Sequence, residues 1–234
     1  MTTADEQRRG GGVEAGGDAH PPAPPPVPMP RFIAFEGPEG GGKSTQIHAV
    51  AAALAAAGVS HIVTREPGGT AIGERIRAIL LGTENHAMLP KTEVLLLLAA
   101  RAQHVAEVIT PALVRGELVL CDRFAGATFA YQGYGRGLPL AELRQLQAFA
   151  AGPLVPDLTL LFDLPVEIGL ARRQAVGDVN RLDAAGLDFH RAVRSGYLQL
   201  AGDEPARWRI IDATRPLAEV TAETVSIVER WLRT

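Results

Sequence analysis

Between Arg31 and Leu232 the chain alternates short apolar runs with longer stretches whose apolar residues recur every three or four positions. The short runs, Phe32–Glu36, His61–Arg65, Glu117–Asp122, Leu158–Asp163 and Arg209–Asp212, predict strands. Several are apolar almost throughout, as parallel strands covered on both faces should be. The longer stretches predict helices at Lys43–Ala57, Ile72–Leu81, Lys91–Arg115, Leu140–Ala151, Val166–Val176, Ala184–Ala201 and Leu217–Leu232. Strands alternating with helices predict an α/β domain built on a parallel sheet, which binds ligands at the carboxyl ends of its strands. Polar and glycine-rich clusters fall at those ends in the first three strands: Glu36 to Ser44, Arg65 to Thr70, and Asp122 with Arg123. No repeat of the length a solenoid uses is visible.

Residues 1–30 break the pattern. They are rich in Gly and Pro, with prolines at 21, 22, 24, 25 and 26, and carry too few apolar residues to offset the entropy of ordering. A disordered or polyproline-like tail is expected there, and one domain over residues 31–234. Hydrophobic residues at 47% and charged residues at 21% have the balance of a soluble globular protein. No run approaches the roughly 18 apolar residues of a membrane span. A net charge of −3 gives no global reason to expect nucleic acid or a membrane as partner. Arg8 and Arg9 precede Gly, Glu, Asp and Pro, not the apolar stretch of an export signal. Cys121 is the only cysteine, so an intramolecular disulfide and a multi-cysteine metal site are both excluded, and a reducing, cytoplasmic setting is expected. His48, His61, His86, His104 and His190 lack metal-ligand spacing and read as structural, as do Trp208 and Trp231.

Gly37-Pro38-Glu39-Gly40-Gly41-Gly42-Lys43-Ser44 fits G-x-x-x-x-G-K-[ST] between an expected strand and an expected helix, which is the context a phosphate-binding loop requires. Glycines let backbone N–H groups converge on phosphate oxygens and the helix N-terminus adds partial positive charge. Lys43 can then reach the outer phosphates and Ser44 can serve Mg²⁺. This predicts a nucleoside triphosphate site without saying whether water or a second substrate receives the phosphoryl group. Arg77, Arg101 and Arg123 lie where a second substrate could be held. Asp122-Arg123-Phe124 joins a carboxylate suited to Mg²⁺ to a guanidinium suited to phosphate. A nucleoside kinase with Glu36 or Asp122 as base, and a P-loop regulatory ATPase, remain as alternatives.

At these residues the sequence resembles thymidylate kinases. The resemblance runs through Phe35-Glu36-Gly37 with the P-loop, Arg65 to Thr70, Gly73 to Arg77, Ala100 to His104, Asp122-Arg123-Phe124 and Ala130-Tyr131-Gln132-Gly133. It continues through Pro156 to Thr159, Phe162-Asp163-Leu164, Asn180-Arg181-Leu182 and Ile211-Asp212-Ala213. It implies a five-stranded nucleoside-monophosphate-kinase fold, a homodimer, and phosphorylation of dTMP by Mg²⁺ and ATP. By that resemblance Gly37, Pro38, Glu39, Gly40, Gly41, Gly42, Lys43, Ser44 and Thr45 hold ATP, and Ser44 and Asp122 hold the metal. Arg77 and Arg123 grip the dTMP phosphate, while Arg101, Thr128 and Gln132 read thymine. Glu39 stands near the 3′-hydroxyl, Tyr131 below C2′, and Pro67 lines the base pocket through a cis Glu66–Pro67 bond. Leu97 takes the place of the family's stacking phenylalanine.

Members of that family place a transition-state arginine in the P-loop or in a lid. Pro38, Glu39, Gly40 and Gly41 are not basic, so the resemblance assigns that charge to the lid, about residues 172–183. Arg172 there resembles an adenine-stacking arginine, and Arg173, with Arg181 as the next choice, is expected to contact the transferring phosphoryl group. Catalysis would otherwise consist of alignment and charge neutralisation by Lys43, Mg²⁺ and arginines, since an acceptor phosphate oxygen needs no general base.

Overall fold

The computed structural model describes residues 31–177, 180–182 and 185–234. The tail expected at 1–30, the lid positions Asp178, Val179 and Asp183, and the expected helix start at Ala184 lie outside the described residues.

The strands are β1 (Phe32–Glu36), β2 (His61–Arg65), β3 (Leu118–Asp122), β4 (Leu158–Asp163) and β5 (Trp208–Asp212). Among the described residues they form one sheet in the order β2-β3-β1-β4-β5, every pairing parallel. The register sets Phe35 beside Asp122, Glu36 beside Leu161 and Arg65 beside Asp122. The polar ends of β1, β2 and β3 therefore meet along one edge, where the sequence pattern expected a ligand.

Layering follows from the period-2 geometry of a strand. Ile33 and Phe35 point into one cluster with Ile47, Val50 and Leu54 of α1 (Lys43–Ala56) and Val220 and Val228 of α9 (Leu217–Leu232). Phe32 and Ala34 point the other way, into a cluster with Ile109, Ala112 and Phe124. β1 is thus covered on both faces, and each fully buried Phe or Ile there contributes about 1.5–3 kcal/mol of transfer free energy.

On the second face, α2 (Ala71–Leu81) packs against α3 (Pro90–His104). α3 runs on through a π-helical turn, Val105–Ile109, into the short α4 (Thr110–Val114), so the expected helix over 91–115 is one rod with a change of pitch. Pro111 lacks the N–H that would continue the regular ladder, and the wider turn lies immediately before that gap. By length and composition the rod Pro90–Val114 could cross a membrane, its most apolar window having mean hydropathy 1.2. Its two buried charges, Glu93 and Arg101, are nonetheless committed to partners inside the domain.

α6 (Leu140–Ala151) and α7 (Val166–Val176) keep the expected bounds, and α8 spans Leu187–Asp203. The pattern missed the short 3-10 turn Thr83–Asn85 and, more consequentially, residues 125–135, where α5 (Ala125–Thr128) passes into a second π-helical stretch, Phe129–Gly135. Gly126, Gly133 and Gly135 disfavour helix locally. Burial of Ala130 and Tyr131 against Val193 and Tyr197 of α8 overrides that preference.

Candidate active site

The P-loop leaves β1 and closes on α7. A Cβ at Gly40 would come within 2.2 Å of the Gly169 carbonyl oxygen, and one at Gly169 within 2.2 Å of the Glu39 carbonyl oxygen, so loop and helix touch backbone to backbone. Gly42, at φ 78, turns the chain into α1. Lys43 Nζ donates to the carbonyls of Gly37 at 3.1 Å and Pro38 at 2.8 Å, which holds the ammonium inside the loop's curve. Burial and the nearby Arg123 push the Lys43 pKa down to about 8, against the opposite pull of Glu39, Asp122 and Glu36. Ser44 Oγ donates to Asp122 Oδ2 at 2.9 Å. A hydroxyl and a carboxylate side by side at the end of β3 form an oxygen donor set suited to Mg²⁺, which takes one or two protein ligands and completes its shell with phosphates and water.

Arg123 follows β3 with φ 67, a region that non-glycine residues enter rarely and at a cost of roughly 1–3 kcal/mol. The surroundings over-determine that turn. Nη1 donates to Gly37 O and to Tyr197 Oη, both at 3.0 Å, and Nη2 donates to Glu39 Oε1 at 2.8 Å. The guanidinium also lies over the Tyr131 ring, 4.9 Å from its centroid. Tyr131 Oη donates to the same Glu39 oxygen at 2.7 Å. Burial would raise the Glu39 carboxyl, but Arg123, Lys43, Tyr131 and Arg173 together hold it down at about 2.

Behind this group sits Glu36, fully buried at the end of β1. Its Oε1 accepts from the N–H groups of Phe124 at 2.8 Å and Ala127 at 3.1 Å, and its Oε2 accepts from Tyr197 Oη at 2.8 Å. Burial pushes this carboxyl above its ordinary range, against the pull of Arg123 and these hydrogen bonds. A carboxylate so committed anchors the Asp122-Arg123-Phe124 turn and is not placed to serve as a base for a nucleoside hydroxyl.

Across the cleft, the turn after β2 is closed by Glu74, which accepts from Gly69 N at 2.9 Å and from Arg65 Nη2 at 2.9 and 3.0 Å. Thr70 caps α2 by accepting from Gly73 N at 2.9 Å. The Glu66–Pro67 bond is cis. Arg77 Nη1 donates to Pro67 O at 2.9 Å, which directs it along the cleft wall. Gln132 Nε2 donates to Glu93 Oε1 at 2.8 Å, while Gln132 Oε1 is buried without a hydrogen-bond partner among the described residues.

One cleft of about 640 Å³ connects these parts. Gly40, Gly42, Lys43, Ser44, Thr45 and Asp122 line its P-loop side, with Glu39 and Arg123 at the middle. Pro67, Arg77, Leu97, Arg101, Thr128, Tyr131 and Gln132 line the other side, and Arg172 and Arg173 border it. Gly37, Pro38 and Gly41 shape the loop from beneath and are buried. Arg172 Nη1 donates to Ala213 O at 2.9 Å and Gly40 O at 3.4 Å, joining α7 to the P-loop and to the segment after β5. Arg181, expected as a lid residue, is not brought into this lining. Its Nε donates to Leu80 O at 3.0 Å and its Nη2 to Glu93 Oε2 at 2.6 Å, with 9% of the residue exposed.

Sequence reasoning did not single out Tyr197, Glu93 or Gln147, and it treated His104 as structural. Each is an isolated polar residue in a helix, and only tertiary contact brings it to the site. His104 alone had a local signal, three residues after Arg101.

A phosphate-binding loop that shares one cleft with a second set of arginines is the arrangement of a P-loop phosphotransferase. A family model described as thymidylate kinase matches residues 35–224. A thymidylate kinase from Pseudomonas savastanoi pv. phaseolicola is 56% identical over 201 residues, 86% of this chain and 96% of the relative. One from Thermomicrobium roseum is 56% identical over 198 residues, 84% of this chain and 93% of the relative. The chain belongs to the thymidylate kinase family.

Proposed function

We propose that this protein transfers the γ-phosphoryl group of ATP to dTMP, giving dTDP and ADP. The observation that carries the reading is the single cleft in which Lys43 and Ser44 face Arg77 and Arg101, with Arg123 and Glu39 between them. The triphosphate lies along the P-loop N–H groups with Lys43 at its outer phosphates. Arg77 and Arg123 hold the acceptor phosphate, whose oxygen attacks the γ-phosphorus as the bond to the β-phosphate oxygen breaks. No base is needed, so the protein's task is alignment and charge neutralisation. Ser44 and Asp122 would hold Mg²⁺, which when bound neutralises charge on the donor phosphates. Arg173 is the lid arginine for the transferring group, because it borders the cleft and acts on Glu39 electrostatically, whereas Arg181 lies outside the cleft lining.

On the base side, Arg101 donates toward thymine carbonyl and Gln132 Oε1, lacking a partner, accepts from the imide N–H; Thr128 and Leu97 complete the pocket. A homodimer is supported by exposed apolar side chains at i, i+7 on α2 (Ile72, Ile79), by Leu95 with the small Ala99 and Ala102 on α3, and by the fact that only 33% of the most apolar window of the rod 90–114 is buried. The single buried cysteine suits the cytoplasm. ADP release from Mg·ATP across nucleoside monophosphates and nucleosides tests the acceptor. dTMP should be the best substrate and thymidine inert, and turnover of thymidine near the dTMP rate would overturn the reading.

A further inference from the structure

A buried chain of polar side chains runs behind the base side of the cleft. Thr64 at the end of β2 places Oγ1 2.6 Å from His104 Nε2. His104 Nδ1 lies 3.1 Å from Glu66 Oε1, and Arg101 Nε donates to Glu66 Oε2 at 2.6 Å. Arg101 Nη1 then donates to Gln147 Oε1 of α6 at 2.5 Å, and Nη2 to Phe124 O at 3.0 Å. His104, Arg101 and Glu66 are 0%, 2% and 5% exposed, so the bonds among them are shielded from bulk water, while Thr64 at the outer end is half-buried.

The chemistry of each group fixes its neighbour. A carboxylate only accepts, so His104 Nδ1 carries the hydrogen toward Glu66, and Nε2 faces the Thr64 hydroxyl. Glu66 needs both oxygens satisfied when buried, one by Arg101 and one by His104. Glu66 Oε2 also lies 2.6 Å from Arg101 Nη2. Of the five N–H groups of Arg101, three are hydrogen-bonded: Nε by Glu66, one on Nη2 by Phe124 O, and one on Nη1 by Gln147. One Nη1 hydrogen remains for the cleft, and its direction is set by the plane that Glu66 imposes. The ring of His104 cannot swing away, because the Gly69 backbone closes over it. A Cβ at Gly69 would lie 2.6 Å from His104 Cδ2 and 2.9 Å from Thr64 Oγ1. Glu66 is also bonded to Pro67, whose carbonyl accepts from Arg77 at 2.9 Å, so the same anchor reaches the phosphate grip.

We infer that His104 is a positioning residue for acceptor recognition: through Glu66 it aims the remaining Nη1 donor of Arg101 at the carbonyl of position 4 of the pyrimidine, and so sets the preference for a 4-oxo over a 4-amino base. This rests on the dTMP reading. The test is steady-state kinetics of the full chain with dTMP and dCMP, for wild type, His104→Leu, His104→Asn and Thr64→Val. A hydrogen bond to a charged group is worth about tenfold or more in an equilibrium. His104→Leu should raise the KM for dTMP by about that factor, leave the KM for ATP within about twofold, and reduce the dTMP over dCMP ratio of kcat/KM by a similar factor. His104→Asn keeps a donor near the Nδ1 position and should restore most of both. Thr64→Val, which removes only the outer hydroxyl from a strand, should shift the same parameters in the same direction by less, and decides the matter if His104→Leu does not fold. Unchanged dTMP KM and base preference in the folded variants would overturn the inference, as would equal losses for ATP and dTMP with no rescue by Asn. A wild type that transfers nothing to dTMP would overturn the acceptor reading, and this inference with it.

Discussion

The residues at the site divide by what holds them. Arg123 is fixed by Gly37, Tyr197 and Glu39, whereas Arg181 is fixed by Leu80 and Glu93 outside the cleft lining. Arg173→Ala should therefore lower kcat by about 10³-fold, the range of an arginine that acts on a transferring phosphoryl group, with little change in the KM for dTMP. Arg181→Ala instead leaves Glu93 buried beside Gln132 and Arg136 with one charge fewer. It should lower the Tm by several degrees and move kcat much less. Thermal melts and steady-state kinetics on both variants separate the two roles, and the opposite ranking in kcat would transfer the catalytic assignment to Arg181. Lys43 gives a pH signature. With its pKa lowered to about 8, it is protonated below that pH and loses its charge above it. ATP is a polyanion and favours the protonated form, so binding raises this pKa and takes up protons near pH 8. Titration calorimetry of Mg·ATP in buffers of different ionisation enthalpy should show that uptake at pH 8, and an affinity that falls as pH rises further. Both effects should vanish in Lys43→Ala.

At the scale of elements, β1, β2 and β4 have the same bounds in sequence pattern and structure, as do α6, α7 and α9. Each carries enough apolar residues at strand or helix spacing for the sequence pattern to mark it, even where single ones such as Val63 and Phe149 stay exposed. The P-loop and the polar turns at strand ends were equally legible, because backbone geometry and phosphate chemistry demand particular residue types there. The segment 125–135 was not legible, since its glycines and aromatics contradict the helix that contact with α8 enforces. Nor was the shell around the site: the hydrogen bonds of Glu36 to Tyr197 and of Arg101 to Gln147 join residues 161 and 46 positions apart. Family resemblance supplied roles for the residues lining the cleft but said nothing of what steadies them. The contact between the P-loop and α7 sets local propensity against packing. In isolation Gly169→Ala favours a helix by about 1 kcal/mol. Here the added Cβ would meet Glu39 O at 2.2 Å, a conflict that only a shift of the loop relieves. Packing should win, so the variant should melt lower and show a raised KM for ATP. A higher Tm with unchanged kinetics would show that the loop and α7 are not in this contact.

For the whole molecule, the sheet gathers the ends of β1, β2 and β3 at one edge, and helices on both faces leave the cleft open along that edge. The exposed Ile72, Ile79 and Leu95 are 51%, 46% and 57% accessible, an apolar surface that association with a second copy would remove from water. Light scattering coupled to size exclusion should give the mass of two chains, and Leu95→Asp should shift the equilibrium toward one. A monomeric wild type at micromolar concentration would contradict that assembly.

Transfer between two nucleotides in one cleft can be followed through the label of γ-labelled ATP. With dTMP present, the label should appear in the β-position of dTDP, in amounts equal to the ADP formed, and no labelled product should form from thymidine. Label released as inorganic phosphate, at a rate indifferent to dTMP, would make the protein an ATPase and contradict transfer to dTMP.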